Sequence, residues 1–265
     1  EEYKTERCFL VDNVKECLQE LAKYHRKKLN IPVIGITGTN GKTTTKELIH
    51  SVLSSQYNCY ATKGNLNNQI GLPLSVLEIN NEHEIAIIEM GASEIGEIAN
   101  LSRIAQPTSG IITNVGMAHL EGFGSFEGVI QTKTELYRYI KENKGLLFVN
   151  SEDEILINNS MDIKRITYGI KSNSDFKSSI IKMFPFLSLQ IGNTSFHSNL
   201  VGEFQFYNIL AACAIGDFYN IHADNLKKSI EAYYPKNNRT EIVETESNYI
   251  ILDAYNANPS SMNSM

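Results

Sequence analysis

Short runs of consecutive apolar residues recur along the first 150 residues of the chain. One run begins at residue 31, and three more cover residues 84–90, 109–115 and 145–150. Each is rich in β-branched residues, a pattern typical of strands that are buried on both faces. The sequence therefore predicts four buried strands in this part of the chain.

Amphipathic segments separate these runs. Apolar positions recur at helical spacing in residues 13–29, 95–104 and 126–140, and the first segment collects Lys and Arg toward its end, where they complement the helix dipole. Alternating strands and helices are typical of parallel sheets covered by helices on both faces. We therefore predict an α/β fold with a doubly wound, mostly parallel sheet, in which ligands bind at the carboxyl ends of the strands.

The second half of the chain has shorter apolar runs. Residues 185–191 and 195–201 are joined through the turn residues 192–194, which predicts a small antiparallel hairpin at the edge of the sheet. A helix over residues 206–219 and a strand over residues 249–253 are predicted to return the chain to the α/β pattern.

The composition is that of an ordinary globular protein. The 265 residues are 42% hydrophobic and 20% charged, with a formal net charge of -6. This acidic balance argues against a nucleic-acid-binding surface, which draws on clustered Lys and Arg. The four cysteines have no metal or redox spacing, no apolar run is long enough to span a membrane, and the first residues are acidic. We expect a cytoplasmic protein with reduced thiols.

A glycine-rich segment follows the first apolar run and leads into a helical pattern. It reads Gly35-Ile-Thr-Gly-Thr-Asn-Gly-Lys-Thr-Thr44. Gly38 and Gly41 let backbone N–H groups approach an anion, and the following helix presents its positive end. Lys42 is placed to reach the β- and γ-phosphates of a nucleoside triphosphate, and the Thr43 hydroxyl to hold Mg²⁺. The segment predicts a phosphate-binding loop of P-loop type.

Three further polar residues lie where they can enter the same cleft. Glu89 ends a buried strand and is a candidate Mg²⁺ ligand, with a helix cap or an exposed acid as the alternative. His119 follows the next strand in a glycine-rich loop, where a plain surface histidine is the alternative. Lys133 lies on the helix after that loop. Its ammonium would favour phosphate oxygens and repel metals, unless it is only a solvated helix residue.

Five segments together resemble the Mur ligases, a family that builds the peptidoglycan precursor. The phosphate loop is similar to the ATP-binding signature of the family. The other four segments resemble one branch of it, and they read Gly64-Asn-Leu-Asn-Asn-Gln-Ile-Gly-Leu-Pro73, Ile88-Glu-Met-Gly-Ala-Ser93, Ala118-His-Leu-Glu-Gly-Phe-Gly-Ser125 and Leu252-Asp-Ala-Tyr-Asn-Ala-Asn-Pro-Ser-Ser-Met262.

The resemblance implies a domain organisation. It covers the chain from about residue 31 to the end, and it implies that residues 31–265 are the central ATP-binding domain of the family. Residues 1–30 resemble the exit from an N-terminal UDP-binding domain, followed by a linker helix. On this interpretation the N-terminal and C-terminal flanking domains of the same polypeptide are missing from the sequence.

The resemblance also implies a reaction. In this branch of the family, ATP phosphorylates the terminal carboxylate of UDP-MurNAc-tripeptide, and the amine of D-alanyl-D-alanine then attacks the acyl phosphate. The implied cofactors are ATP and two Mg²⁺ ions, with Thr43 and Glu89 on the first ion and His119 on the second. Lys133 matches a lysine that the family carbamylates, and carbamylation would turn its ammonium into an anion able to hold Mg²⁺. Lys42, His119 and Lys133 are thus the implied catalytic residues.

The resemblance assigns further residues to the nucleotide. Asn208 matches a residue that contacts adenine, although the usual Gly-x-His-Asn start reads Gly-Glu-Phe-Gln in this chain. Arg239 matches an arginine near the phosphates and Asp253 a residue near the ribose, with a surface residue and a strand-end cap as the alternatives. The full implied set is Gly38, Thr39, Asn40, Gly41, Lys42, Thr43, Thr44, Asn208, Arg239 and Asp253.

The muramoyl peptide is assigned to an asparagine-rich loop. Asn67 and Asn68 lie in a segment that resembles the contact of the family to this substrate, and an ordinary asparagine-rich turn is the alternative.

Other functions are distinguished by their motifs. A GTPase switch would need Asn-Lys-x-Asp and Asp-x-x-Gly, which the sequence lacks, and a folylpolyglutamate synthetase usually reads Gly-Lys-Gly-Ser where this chain has Gly41-Lys-Thr-Thr44. The other Mur ligases share the ATP machinery and differ in the amino acid that they add. Another step of this family, and a nucleotide-binding module without turnover, both remain open.

Overall fold

A seven-stranded parallel sheet forms the centre of the fold in the computed structural model, which describes residues 8–118, 120–171, 173–236 and 238–263. Its strands are β1 (Val33–Thr37), β2 (Cys59–Ala61), β3 (Ile85–Glu89), β4 (Ser109–Ile112), β5 (Leu146–Asn150), β6 (Arg165–Gly169) and β7 (Phe176–Lys177). They lie in the order β2-β3-β1-β4-β5-β6-β7, and every neighbouring pair is parallel. The predicted α/β class is confirmed.

Helices cover both faces of this sheet. They are α1 (Val14–Lys28), α2 (Lys42–Leu53), α3 (Gly71–Leu77), α4 (Glu97–Ala105), α5 (Leu120–Phe123), α6 (Phe126–Lys133), α7 (Glu135–Glu142), α8 (Glu154–Asn159), α9 (Phe204–Phe218), α10 (Ala223–Glu231) and α11 (Pro259–Asn263). One apolar core lies between the sheet and α2, α9 and α10, and another lies between the sheet and α1, α3, α4 and α7. In the described ranges, no helix is both long enough and apolar enough to cross a membrane.

The side chains of strand β1 are divided between the two cores. Ile34 and Ile36 pack into the core beneath α2 and α9, whereas Val33 packs into the opposite core. This follows from the pleat of a strand, in which successive side chains point to opposite faces. Since β1 lies between β3 and β4, the loops that follow these three strands converge at one edge of the sheet.

Helix α1 is packed against the sheet domain. It contacts α3 and α4, and its residue Arg26 is buried. The Arg26 guanidinium donates hydrogen bonds to backbone carbonyls of Leu29, Ile31, Ala105 and Gln106. This arginine thereby fixes the end of α1 to the start of the first strand and to the end of α4.

The prediction of a single helix over residues 126–140 is wrong, because the structure has two helices there. α6 ends and α7 begins on either side of Thr134. The Thr134 hydroxyl donates to the carbonyls of Ile130 and Gln131, at 2.8 and 3.2 Å. A hydroxyl that bonds back to the preceding turn competes with the helical ladder and bends helices.

The predicted antiparallel hairpin is confirmed, with shorter strands. β9 (Ser188–Ile191) pairs with β10 (Thr194–His197), and the turn includes Gly192 at φ +55°. A further strand, β8 (Ser179–Lys182), pairs with β9. The hairpin therefore belongs to a separate three-stranded sheet that follows the edge strand β7 in the chain.

The strand predicted over residues 249–253 exists but does not return the chain to the parallel sheet. β12 (Tyr249–Asp253) pairs antiparallel with β11 (Arg239–Glu244), and the two form a sheet of their own. Most side chains of β12 are exposed. A run of four apolar residues predicts a strand but carries no information about its partner, which is why the prediction failed here.

Candidate active site

The phosphate loop lies between β1 and α2, and its glycines are required by its shape. Gly38 and Gly41 have φ values of +146° and +78°, which side-chain-bearing residues rarely adopt. A Cβ on Gly38 would collide with Thr113 Oγ1, and one on Gly41 would lie 2.8 Å from Asn208 Oδ1. Both positions therefore need glycine on steric grounds as well as conformational ones.

The loop is braced by the segment after β4. The backbone N–H groups of Thr39 and Asn40 donate to the backbone carbonyl and to the side-chain oxygen of Asn114, each at 3.0 Å. Thr113 Oγ1 donates to the Asn40 carbonyl at 2.6 Å. These bonds occupy two N–H groups of the loop. The N–H groups at the start of α2, which lack helical partners, are left to face an anion.

Lys42 is folded back over the loop. Its ammonium donates to the carbonyls of Gly38 and Thr39, both at 2.8 Å. Burial lowers the pKa of Lys42, the Glu89 carboxylate opposes that shift, and the charge of Arg239 adds to it. Lys42 thus lies at the centre of the charged groups of the site.

Glu89 is a buried carboxylate with one open oxygen. Its Oε1 accepts hydrogen bonds from Asn67 Nδ2 at 2.8 Å and from Thr43 Oγ1 at 3.3 Å. Its Oε2 is buried without a hydrogen-bond partner, and Lys46 Nζ lies 3.9 Å away. A buried anionic oxygen without a donor is costly, and carboxylate and hydroxyl oxygens are ligands that Mg²⁺ accepts. Glu89 and Thr43 therefore fit the predicted metal ion.

The rest of the predicted metal set is less complete. His119 lies outside the described residues. Within the described ranges, no three His, Cys, Asp or Glu side chains cluster in a way that could hold a metal ion. A cation at Glu89 would therefore need further oxygens from the Thr43 hydroxyl, from phosphate groups or from water.

Lys133 is an almost fully buried amine, with 3% of its surface exposed. Its Nζ lies 5.5 Å from the ring centroid of Phe123. Burial, and secondarily the charge of Lys42, lower the pKa of Lys133 to about 7, while Glu97 and Glu135 act in the opposite direction. Near pH 7, a large fraction of the molecules therefore carry Lys133 as a neutral amine. The alternative considered for this position, a solvated helix residue, is wrong because the side chain is buried.

A cleft of about 610 Å³ brings most of the predicted residues together. Gly38 and Lys133 do not line it. The predicted residues that do are Thr39, Asn40, Gly41, Lys42, Thr43, Thr44, Asn67, Asn68, Glu89, Asn208, Arg239 and Asp253. A cavity of similar volume, about 630 Å³, opens beside α8 and β6, and none of the predicted residues lines it.

Asn208 contacts the phosphate loop directly. It lies on α9, and its side-chain oxygen accepts a hydrogen bond from Thr45 Oγ1 at 3.0 Å. Its amide Nδ2 donates to Gln205 Oε1 at 2.8 Å. An asparagine amide has a second N–H, and its oxygen has a second lone pair, so both remain for a ligand. Gln205 is one of the two residues, with Phe204, at which the chain departs from the usual family motif.

Arg239 and Asp253 reach the cleft from the β11–β12 sheet. They are cross-strand partners, and the Asp253 carboxylate accepts the backbone N–H of Thr240 at 3.1 Å. The Arg239 guanidinium stacks on the Tyr255 ring, 3.6 Å from its centroid. A stacked guanidinium keeps its charge and most of its N–H donors available, which suits a contact to phosphate.

The two predicted substrate residues have different surroundings. Asn67 is bonded to Glu89, as described above, whereas Asn68 Oδ1 accepts the backbone N–H groups of Ile70 and Gly71, at 3.1 and 2.9 Å. Asn68 thereby holds the turn that precedes α3, whose N-cap is Ile70, and this is the turn role considered as its alternative.

Several residues of the site were not predicted from the sequence. Asn114 braces the phosphate loop, and Asn258 exchanges side-chain amide hydrogen bonds with Asn40, at 2.7 and 3.4 Å. The Tyr255 ring packs against the Arg239 guanidinium, and Lys46 lies beside Glu89. Asn258 and Tyr255 belong to the segment 252–262 whose resemblance was noted, so the signal for them was present. Asn114 and Lys46 had no local signal.

Comparison with known proteins places this geometry in context. Residues 36–216 match the family model described as the Mur ligase middle domain. A UDP-N-acetylmuramoyl-tripeptide–D-alanyl-D-alanine ligase of Bacillus subtilis (strain 168) is 40% identical over 258 residues, which are 96% of this chain and 56% of that protein. A ligase of the same name from Escherichia coli (strain K12) is 31% identical over 264 residues, which are 96% of this chain and 58% of that protein.

Solved structures give the same picture. A crystal structure of MurF from Acinetobacter baumannii superimposes with a TM-score of 0.88 at 30% identity, over 98% of this chain and 60% of that one. MurF from Thermotoga maritima in complex with ADP superimposes with a TM-score of 0.86 at 29% identity, over 98% of this chain and 62% of that one. The chain thus spans little more than half the length of the relatives that it matches.

Proposed function

This chain belongs to the Mur ligase family, and we propose that it carries the ATP-binding site of an enzyme that joins D-alanyl-D-alanine to UDP-MurNAc-tripeptide. The observation that supports this most directly is the hydrogen bond between Asn67 and Glu89. It connects the asparagine-rich loop, proposed for the muramoyl peptide, to the carboxylate proposed for Mg²⁺ beside the phosphate loop. An ATPase that does not act on this peptide would not require that connection.

The proposed reaction has two steps. An oxygen of the terminal carboxylate of the tripeptide attacks the γ-phosphorus of ATP, and the bond from that phosphorus to ADP breaks. The amine of D-alanyl-D-alanine then attacks the acyl carbon, phosphate leaves with the bonding electrons, and the nitrogen loses a proton. Because two anions meet in the first step, the site must supply positive charge along their path.

The described residues supply that charge from three directions. The N–H groups at the start of α2 face the phosphates, and Lys42 exchanges its bonds to the loop carbonyls for bonds to the β- and γ-phosphate oxygens. Arg239, held on Tyr255, approaches from the β11–β12 sheet. Asn208 contacts adenine and Asp253 the ribose in this proposal, since both line the same cleft as the loop.

Mg²⁺ would neutralise the triphosphate when bound, and Thr43 and Glu89 would hold it. We propose a second ion, with His119 and a carbamylated Lys133 as its protein ligands. The neutral Lys133 amine would add to CO₂ and release a proton, leaving a carbamate anion. The support for this step is the burial of Lys133 and its pKa of about 7.

The remaining substrate contacts lie outside this chain in our proposal. The Bacillus subtilis relative is longer, and 56% of it is covered here. Flanking domains of the same polypeptide would hold the UDP group and the dipeptide, and the reaction would take place in the cytoplasm. The 265 residues alone would then bind Mg-ATP without turnover, because the groups that orient the other substrates are missing.

Phosphate release by the intact polypeptide that carries this chain tests the proposal. The assay supplies Mg-ATP and UDP-MurNAc-tripeptide and compares D-alanyl-D-alanine with single amino acids. Release that requires the dipeptide, and is lost in Lys42→Ala, is the expected result. Release with a single amino acid would instead assign the chain to another step of the family. No release with any amine would favour a nucleotide-binding module.

A further inference from the structure

Lys46 is a fully buried lysine, one turn of α2 beyond Lys42. A buried ammonium is costly unless each of its three donors has a partner. Lys46 Nζ lies 2.5 Å from the carbonyl of Thr62, 3.3 Å from the carbonyl of Gly64 and 3.0 Å from Glu47 Oε1. Two of its donors are therefore satisfied by backbone carbonyls and its charge is paired with Glu47, so the lysine is held in one position.

Two of these partners lie at the start of the asparagine loop, which we define as residues 63–68. The carbonyls of Thr62 and Gly64 flank its first residue, so Lys46 anchors the loop where it leaves β2. The other end of the loop is anchored by Asn67, whose Nδ2 donates to Glu89 Oε1 and whose carbonyl accepts the Gly91 N–H, both at 2.8 Å. One end of the asparagine loop is thus fixed to α2 through Lys46, and the other end is fixed to the last residue of β3 and to Gly91.

Lys46 also faces the open oxygen of Glu89 without occupying it. The separation between Lys46 Nζ and Glu89 Oε2 is 3.9 Å, within the range of an ion pair but too long for a hydrogen bond. The ammonium therefore balances the charge of the buried carboxylate and leaves Oε2 free for another cation. Because its donors point at the loop carbonyls, it does not need to move when such a cation arrives.

We propose that Lys46 is a positioning residue that sets the distance between the asparagine loop and Glu89. It acts through backbone carbonyls and touches neither the nucleotide nor the peptide. The loop is the proposed contact to the muramoyl peptide, so the effect of Lys46 on substrate binding depends on the proposed function. Its effect on the order of the loop does not.

Two substitutions separate the hydrogen bonds of Lys46 from its charge. Lys46→Met keeps an unbranched side chain of similar length and removes both the hydrogen bonds and the charge. Lys46→Gln removes the charge but retains two N–H donors for the carbonyls of Thr62 and Gly64. Lys63→Met is the matched control, because Lys63 is an exposed lysine of the same loop that pairs with Glu78. All three are made in the intact polypeptide.

The first measurement is hydrogen–deuterium exchange of the peptide that covers residues 62–70. We expect exchange at least about fivefold faster in Lys46→Met, and within about twofold of the wild type in Lys46→Gln and Lys63→Met. Unchanged exchange in Lys46→Met would overturn the proposal, as would equally fast exchange in Lys46→Gln. If Lys46→Met does not fold, the comparison of Lys46→Gln with Lys63→Met decides, and fast exchange in Lys46→Gln again overturns it.

The second measurement separates positioning from general damage to the site. In Lys46→Met we expect the KM for UDP-MurNAc-tripeptide to rise about tenfold while the KM for ATP stays within about twofold. A parallel rise in both would indicate a merely structural role and contradict the proposal. If the wild type releases no phosphate, the proposed function fails, and the exchange measurement still tests Lys46.

Discussion

The side-chain amide of Asn67 donates a hydrogen bond to Glu89 Oε1 over 2.8 Å. One residue belongs to the loop proposed for the peptide, and the other is the acid proposed for Mg²⁺. The bond leaves Glu89 Oε2 as the open oxygen of the carboxylate. The orientation of the proposed metal ligand therefore depends on the position of the proposed substrate loop.

Replacing Asn67 by alanine should weaken metal binding without unfolding the chain. Loss of a hydrogen bond to a carboxylate costs about 1–2 kcal/mol, so we expect Mn²⁺ affinity in the presence of ADP to fall roughly five- to thirtyfold. Titration followed by electron paramagnetic resonance measures this affinity. Asn68→Ala is the control, because it removes the side-chain hydrogen bonds that hold the turn before α3 and should lower stability by about 1 kcal/mol with little effect on Mn²⁺. Equal Mn²⁺ affinities in the two variants would contradict the proposed arrangement.

Substitution of Glu89 by glutamine should remove the dependence of ATP binding on metal. Glutamine keeps the shape of the side chain but loses the anionic charge that favours a divalent cation. Calorimetry with excess Mg²⁺ and with EDTA should show at least about tenfold tighter ATP binding with Mg²⁺ in the wild type and less than about twofold in the variant. Glu47→Gln is the control, because Glu47 also pairs with Lys46 but is partly exposed, and it should behave as the wild type. A full Mg²⁺ effect in Glu89→Gln would exclude Glu89 as a ligand.

Gly38→Ala should destabilise the protein more than Gly192→Ala, a substitution at another glycine with a positive φ. The new methyl group would collide with Thr113 Oγ1, so we expect a loss of about 2–4 kcal/mol in the free energy of unfolding. At Gly192, φ is +55° and no atom lies within 4 Å of the added carbon, so Gly192→Ala should cost only about 1 kcal/mol. Urea denaturation of both variants measures the difference. Equal losses would mean that the backbone angle alone, without the contact to Thr113, sets the cost.

The buried amine of Lys133 should make stability depend on pH. Its pKa is about 7 in the folded chain against an ordinary 10.5, so the folded state binds fewer protons than the unfolded state between these values. The free energy of unfolding therefore rises with pH across this window, by an amount on the order of a few kcal/mol. Lys133→Met lacks this dependence and should be more stable than the wild type at pH 6, with the difference shrinking toward pH 10.

Chemical denaturation in CO₂-free buffer checks this prediction. Lys141→Met is the control, because Lys141 is exposed and pairs with Asp162. We expect its difference from the wild type to stay below about 0.5 kcal/mol at both pH values. A difference between Lys133→Met and the wild type that does not change with pH would show that the amine is not held in its neutral form.

The features that the sequence predicts correctly are those written in consecutive residues. Buried parallel strands such as β3 and β5 are apolar throughout, and the phosphate loop is one continuous segment, so both are visible without the fold. Glu89 could be named as a candidate Mg²⁺ ligand because it ends such a strand, and its role stays a prediction.

The features that the sequence could not predict depend on residues far apart in the chain. Asn114 meets Asn40 across 74 positions, and Asn258 meets it across 218. The burial of Lys46, and the partner of β12, are likewise set by packing between elements. A lysine on a helix next to Glu47 has the local pattern of a solvated residue, and only the neighbouring carbonyls of Thr62 and Gly64 make it an interior one.

The brace between Asn114 and the phosphate loop has a consequence for synthesis on the ribosome. The loop is complete in sequence once Thr44 has been added, but the hydrogen bonds that hold Thr39 and Asn40 come from residue 114. A nascent chain that ends before this residue has the whole motif and lacks the contacts that shape it. Nucleotide affinity should therefore appear during translation only after the strand β4 and the residues that follow it have emerged.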